Sequence, residues 1–208
     1  MVVLQLKNRE REFLVNSRGG FMANRAILTY NGTKFEEEIA LLLRYHFPDA
    51  FIMRDVWAYS PNIEKSTQND IIMVTHKGLY FIEAKNWRDW VFGNYNDKFW
   101  KGKASSTNIM EVRNIVKQSM IHIRAIRNGM RRRGVNPVYG NNLIVFPNST
   151  ELKTDAKEVI NINSLISRIK SYERVSTDSI DIDEYRVVIE NLSEYARYRR
   201  GEERYHEN

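Results

Sequence analysis

The chain has 208 residues, a formal net charge of +6 and no cysteine. That length suits one domain with its own core, or one with an appendage. The absence of cysteine excludes a disulfide framework, a zinc ribbon, a CxxC redox site and a thiol nucleophile. No apolar run approaches the ~18 residues of a membrane span. The opening Met1-Val2-Val3-Leu4-Gln5-Leu6-Lys7 is too short and too soon charged for a signal peptide, so a cytoplasmic protein without membrane contact is expected. The positive balance is a weak pointer to a polyanionic partner.

Residues 1–31 read as a basic arm carrying Lys7, Arg9, Arg11, Arg18 and Arg25, broken by Gly19-Gly20. Asn31-Gly32-Thr33 reads as a turn with a capping residue. Phe35, Ile39, Leu42 and Leu43 then recur at helical spacing, with Glu36, Glu37 and Glu38 where acids favour a helix N-terminus. Phe51 to Tyr59 reads as a strand and the polar stretch Ser60 to Gln68 as a loop. Strands are expected at Asp70–Thr75 and Leu79–Lys85, joined by a tight turn into an antiparallel hairpin. Both are apolar on both faces, which points to a sheet covered on both sides.

Asn86 to Ser106 holds Trp87, Trp90, Phe92, Tyr95, Phe99 and Trp100 and reads as a loop with short strands. These aromatics are expected chiefly to fill the edge of a core, with stacking on splayed bases the less favoured role. Glu111 to Arg133 reads as a helix with Val112, Ile115, Val116, Ile123, Ile126 and Met130 as its apolar stripe. Gly134 and Pro137 end it. Asn142–Phe146 and Val159–Ile162 read as strands, Ser164 to about Tyr172 and Asp183 to Arg200 as helices. The order implies a mixed α/β domain.

The chemistry gathers on the hairpin. A His76-Lys77 loop would place Thr75 against Gly78 and Asp70 directly opposite Glu83. A Lys77-Gly78 loop would place Asp70 opposite Lys85 and diagonal to Glu83. Either register puts Asp70, Glu83 and Lys85 on one face, whereas a three-residue loop would split them. Two neighbouring carboxylates repel, and a hard divalent cation relieves them, with the Ala84 carbonyl as a further oxygen ligand. Lys85 would orient a water or stabilise charge on phosphorus. This set suits metal-assisted phosphodiester hydrolysis.

Gln68-Asn69-Asp70 followed by Gly78-Leu79-Tyr80-Phe81-Ile82-Glu83-Ala84-Lys85-Asn86-Trp87 resembles the nuclease-related domain family. That family belongs to the PD-(D/E)xK nucleases, of restriction-endonuclease-like fold. Glu36, the Gly93 and Trp100 segment, Asn114 with Gln118, and Val145-Phe146 agree in order. The resemblance spans Gly32 to Ile162. Phe35, Ile71 and Ile115 depart from the family's Gly, His and Pro, which leaves Glu37 and Glu38 as alternatives to Glu36.

The resemblance implies a mixed central sheet with helices on both faces and a nuclease core over residues 32–162. Residues 163–208 would form C-terminal helices and a charged tail. It implies Glu36, Asp70, Glu83 and the Ala84 carbonyl as holders of Mg²⁺ or Mn²⁺. Asp70, Glu83, Lys85 and Gln118 would be the catalytic set. Lys117, Arg124, Arg127, Arg131, Arg132 and Arg133 are candidates for phosphate contacts. The expected activity is a Mg²⁺-dependent deoxyribonuclease, acting as a monomer or a homodimer. RNA is the alternative substrate. A non-catalytic nucleic-acid-binding or regulatory module is the alternative role. His46, His76, His122 and His206 show no metal-ligand spacing.

Overall fold

The computed structural model describes residues 20–61, 64–103 and 109–206. Of residues 1–31, read above as a basic arm, 1–19 lie outside the described residues and 20–31 belong to the first helix. Helix α1 (Gly20–His46) leads to strands β1 (Phe51–Ser60), β2 (Lys65–Thr75) and β3 (Gly78–Ala84). Then come β4 (Arg88–Phe92), β5 (Phe99–Lys103), β6 (Ile109–Arg113) and helix α2 (Ile115–Arg132). Strands β7 (Gly140–Phe146), β8 (Glu151–Lys153) and β9 (Val159–Asn161), a 3₁₀ turn (Ile162–Ser164) and helices α3 (Leu165–Val175) and α4 (Ile182–His206) complete the fold.

The main sheet runs β1-β2-β3-β7-β9. Its first two pairings are antiparallel and its last two parallel. One face is covered by Phe35, Ile39 and Leu43 of α1 and Leu165 and Ile169 of α3, packed on Ile71, Met73, Tyr80 and Ile82. The other takes Ile123, Ile126 and Met130 of α2 and Tyr185, Ile189 and Leu192 of α4 on Ile72, Val74 and Phe81. Coverage on both sides explains why β2 and β3 read as continuous apolar runs. Each such buried side chain contributes roughly 1.5–3 kcal/mol. The C-terminal helices therefore supply half of each helical layer and are integral to the core.

A smaller sheet, β6-β5-β4-β8, lies beside it. Its inner face sets Val91 and Trp100 against Ile115, Val116, Ile144 and Phe146. Gly93 is required here, because any Cβ would strike the Trp100 ring. This accounts physically for a glycine seven residues before a buried tryptophan.

Four expectations are corrected. Asn31-Gly32-Thr33 is not a turn: α1 continues through it. The pull of buried Phe35, Ile39 and Leu43 outweighs the ~1 kcal/mol helix penalty of Gly32, which has open space around it. Ser60–Gln68 is not all loop, because Lys65–Gln68 pair with Trp57–Ser60. Glu111–Arg113 belong to β6, not to the following helix. Strand β7 begins at Gly140 rather than Asn142.

Candidate active site

The β2–β3 turn uses His76 and Lys77, with Thr75 paired to Gly78 and Ile71 to Ile82. The first of the two sequence registers is thus the observed one, and its next step sets Asp70 opposite Glu83. Regular pairing stops there. The Ala84 N–H, which would continue the ladder, instead donates to Asp70 Oδ2 at 2.8 Å. The strands fork at this point. Lys85 turns its N–H the other way, to Val145 O of β7 at 2.9 Å. Strand alternation therefore directs the Ala84 carbonyl into the fork beside Asp70.

Lys85 Nζ donates to Glu83 Oε1 at 2.6 Å. From α2, His122 Nδ1 stands 3.8 Å from Glu83 Oε2. That is a long contact, and the buried Nδ1 has no nearer partner among the described residues. Burial pushes the Asp70 carboxyl up to about 7, and the negative Glu83 adds to the rise, against the opposing pull of Lys85. Burial raises Glu83 too, but His122 and Lys85 outweigh it and hold Glu83 down at about 2. Burial works against the Lys85 charge, yet Glu83 and Asp70 raise its pKa above the ordinary lysine value. Lys85 is therefore an ammonium at neutral pH, and Asp70 carries the charge that its surroundings oppose.

Glu36 is the acid of α1 that senses this cluster. Burial raises its pKa, and it is coupled through space to Glu83, Asp70 and Lys85. It also faces Arg54 Nη2 of β1 at 3.7 Å. Glu37 and Glu38 are exposed. Gln118 is half-buried on α2, one turn before His122. Among the described residues, no three His, Asp or Glu side chains form a ready-made metal cluster. The donor set at the fork is two carboxylates plus a main-chain carbonyl.

Asn114 caps α2 by accepting from Lys117 N, while its Nδ2 donates to the carbonyls of Tyr95 and Asp97 at 3.0 and 2.8 Å. It ties the small sheet to the helix that carries Gln118 and His122.

Lys117, Arg124 and Arg131 recur every seven residues on one exposed stripe of α2, and the basic residues of the helix differ in what holds them. Lys117 Nζ is engaged with the carbonyls of Asn96 and Asp97. Arg127 lies over Tyr139 and Arg133 over Tyr195. Arg131 donates to Asn128, and Arg124 and Arg132 are exposed. Beyond Arg133 the chain turns at Gly134 and enters β7 at Gly140, which pairs with Leu79 at the start of β3. Arg131 to Arg133 thus sit at the end of the sheet away from the fork, about 15 Å along the helix axis from His122.

Two members of the site escape sequence reasoning. His122 lacks metal-ligand spacing, and its signal was only its four-residue offset from Gln118. Arg54 gave no signal, because its pairing with Glu36 is a long-range contact.

The model of the nuclease-related domain matches residues 31–147, more than half of the chain. No curated protein and no solved structure matches it. Among the described residues no helix is long and apolar enough to cross a membrane.

Proposed function

The chain belongs to the nuclease-related domain family, and from that premise we propose that it hydrolyses phosphodiester bonds in DNA with Mg²⁺ or Mn²⁺ as cofactor. The observation that carries this reading is the fork, where Asp70, Glu83, Lys85 and the Ala84 carbonyl converge. Asp70 is buried beside a second carboxylate and its charge is opposed. An oxygen-only set with surplus negative charge fits a hard divalent cation, which needs few protein carboxylates and keeps several waters. Asp70, Glu83 and the Ala84 carbonyl would hold it, with Glu36 adding charge from α1. When bound, the cation supplies Lewis acidity toward the phosphate.

The chain's own groups do the rest. Lys85 stays protonated, so it donates hydrogen bonds, orienting the attacking water and countering charge that develops on phosphorus. It is not the general base. Glu83 keeps Lys85 in place, and His122 confronts Glu83 from the helix side. Gln118 lies one turn before His122 on the same helix and would contact substrate or water.

The test is cleavage of single- and double-stranded DNA with Mg²⁺, Mn²⁺ or EDTA. Wild type is expected to cut only with metal, and Asp70→Ala and Glu83→Ala are expected to lose cutting. Salt-sensitive binding without cleavage by wild type would overturn the enzymatic reading in favour of a binding module.

A further inference from the structure

The small sheet has an outer face that the described residues leave open. Alternation along its strands assigns Val91, Trp100, Val112 and Leu152 to the packed side. The opposite side presents Phe92 and Phe99, 51% and 44% exposed. Phe92 pairs with Lys153 on one neighbour and Lys101 on the other. Phe99 pairs with Arg113, and Lys98 Nζ lies 5.4 Å from its ring centroid. Phe92 thus has a cation directly opposite it on each neighbouring strand, and Phe99 has one opposite it and a second over its ring. Among the described residues, Lys101 and Lys153 pair with the exposed acids Glu111 and Glu151 of the same face. Such pairs are weak and readily exchanged for a phosphate.

We propose that this face binds single-stranded DNA, with Phe92 and Phe99 stacking on bases and Lys101, Lys153 and Arg113 on phosphates. Rings interleaved with cations are what an unpaired strand requires, since it offers π-faces and charges in alternation. A duplex hides its base faces and would use the cations alone. The small sheet is also joined in the chain to both elements that carry the site. Strand β4 begins three residues after Lys85, and β6 ends at the Asn114 cap of α2. The proposal deepens the nuclease reading and takes from it the choice of nucleic acid as ligand.

The test is fluorescence anisotropy of a labelled oligothymidylate of about 16 nucleotides, titrated with the full chain in EDTA so that no cleavage occurs. The variant Phe92→Leu/Phe99→Leu keeps apolar area but loses both rings, and is expected to weaken binding at least about tenfold. Phe92→Tyr/Phe99→Tyr is expected to bind like wild type. Lys101→Gln/Lys153→Gln is expected to reduce the slope of log affinity against log salt by about 1.4. Equal binding by the Leu variant and wild type overturns the proposal. So does a wild-type dimer that the Leu variant dissolves, since the face would then be a self-interface. Cleavage retained alongside unchanged binding by the Leu variant sinks this proposal alone. Ring-dependent binding without any metal-dependent cleavage sinks the nuclease reading alone.

Discussion

Asp70→Asn is expected to stabilise the metal-free protein while abolishing its activity. The carboxyl titrates at about 7 in the folded chain against an ordinary 3.8. About three pKa steps at about 1.4 kcal/mol each come to about 4 kcal/mol, and local rearrangement trims this to about 2–4. The sign follows from proton binding: the folded state holds the proton more tightly than the unfolded chain. The stability from this group is therefore complete below about pH 4 and is lost as pH rises through 7. Asparagine carries no charge at any pH, and its side-chain oxygen can still accept the Ala84 N–H. Urea unfolding in EDTA should show the variant ahead of wild type by about 2–4 kcal/mol at pH 8, with the gap closing toward pH 4. Mg²⁺ should stabilise wild type and not the variant. Equal stabilities across that range would show that the Asp70 charge is not opposed, and the case for a cation at the fork would lose its physical basis.

Glu83→Ala strands the Lys85 ammonium in a largely buried site and should cost about 3–5 kcal/mol by urea unfolding at pH 7. Glu83 itself, held near 2 against 4.5, contributes stability above pH 4.5 that is lost as acid brings the pH down through 2. His122→Ala should lower kcat about 10- to 100-fold with a smaller change in KM, as loss of a positioning group does; unchanged kcat would remove His122 from the site. Gly93→Ala drives a methyl group into the Trp100 ring and should cost about 1–3 kcal/mol in thermal unfolding, where a neutral result would contradict the packing.

The hairpin is legible in the sequence because its signals are local. Two apolar runs and a short turn leave two even-loop registers open, and in either one strand alternation puts Asp70, Glu83 and Lys85 on one face; the structure selects the His76-Lys77 loop. What fails to show depends on partners far along the chain. Lys65–Gln68 look like loop because polar residues suffice for pairing to β1. Glu111–Arg113 look like helix because Val112 fits either period. The reach of α1 through Gly32 is hidden because the compensating contacts come from the sheet. His122 is invisible for the same reason: only the packing of α2 on the sheet brings it to Glu83.

The fork has a consequence for how the protein reaches its native state. Asp70, Glu83 and Lys85 meet in a hairpin whose turn is two residues long, so they can assemble within microseconds while still fully hydrated. Their removal from water waits for β7 and α2, which arrive from about 60 and 40 residues away and form late. The electrostatic opposition to Asp70 is thus concentrated in the last barrier, not the first. Refolding should be faster at pH 5 than at pH 8, and, if the fork takes a divalent cation as proposed, that cation should narrow the difference, so that the site would act as a brake on refolding that its ligand releases.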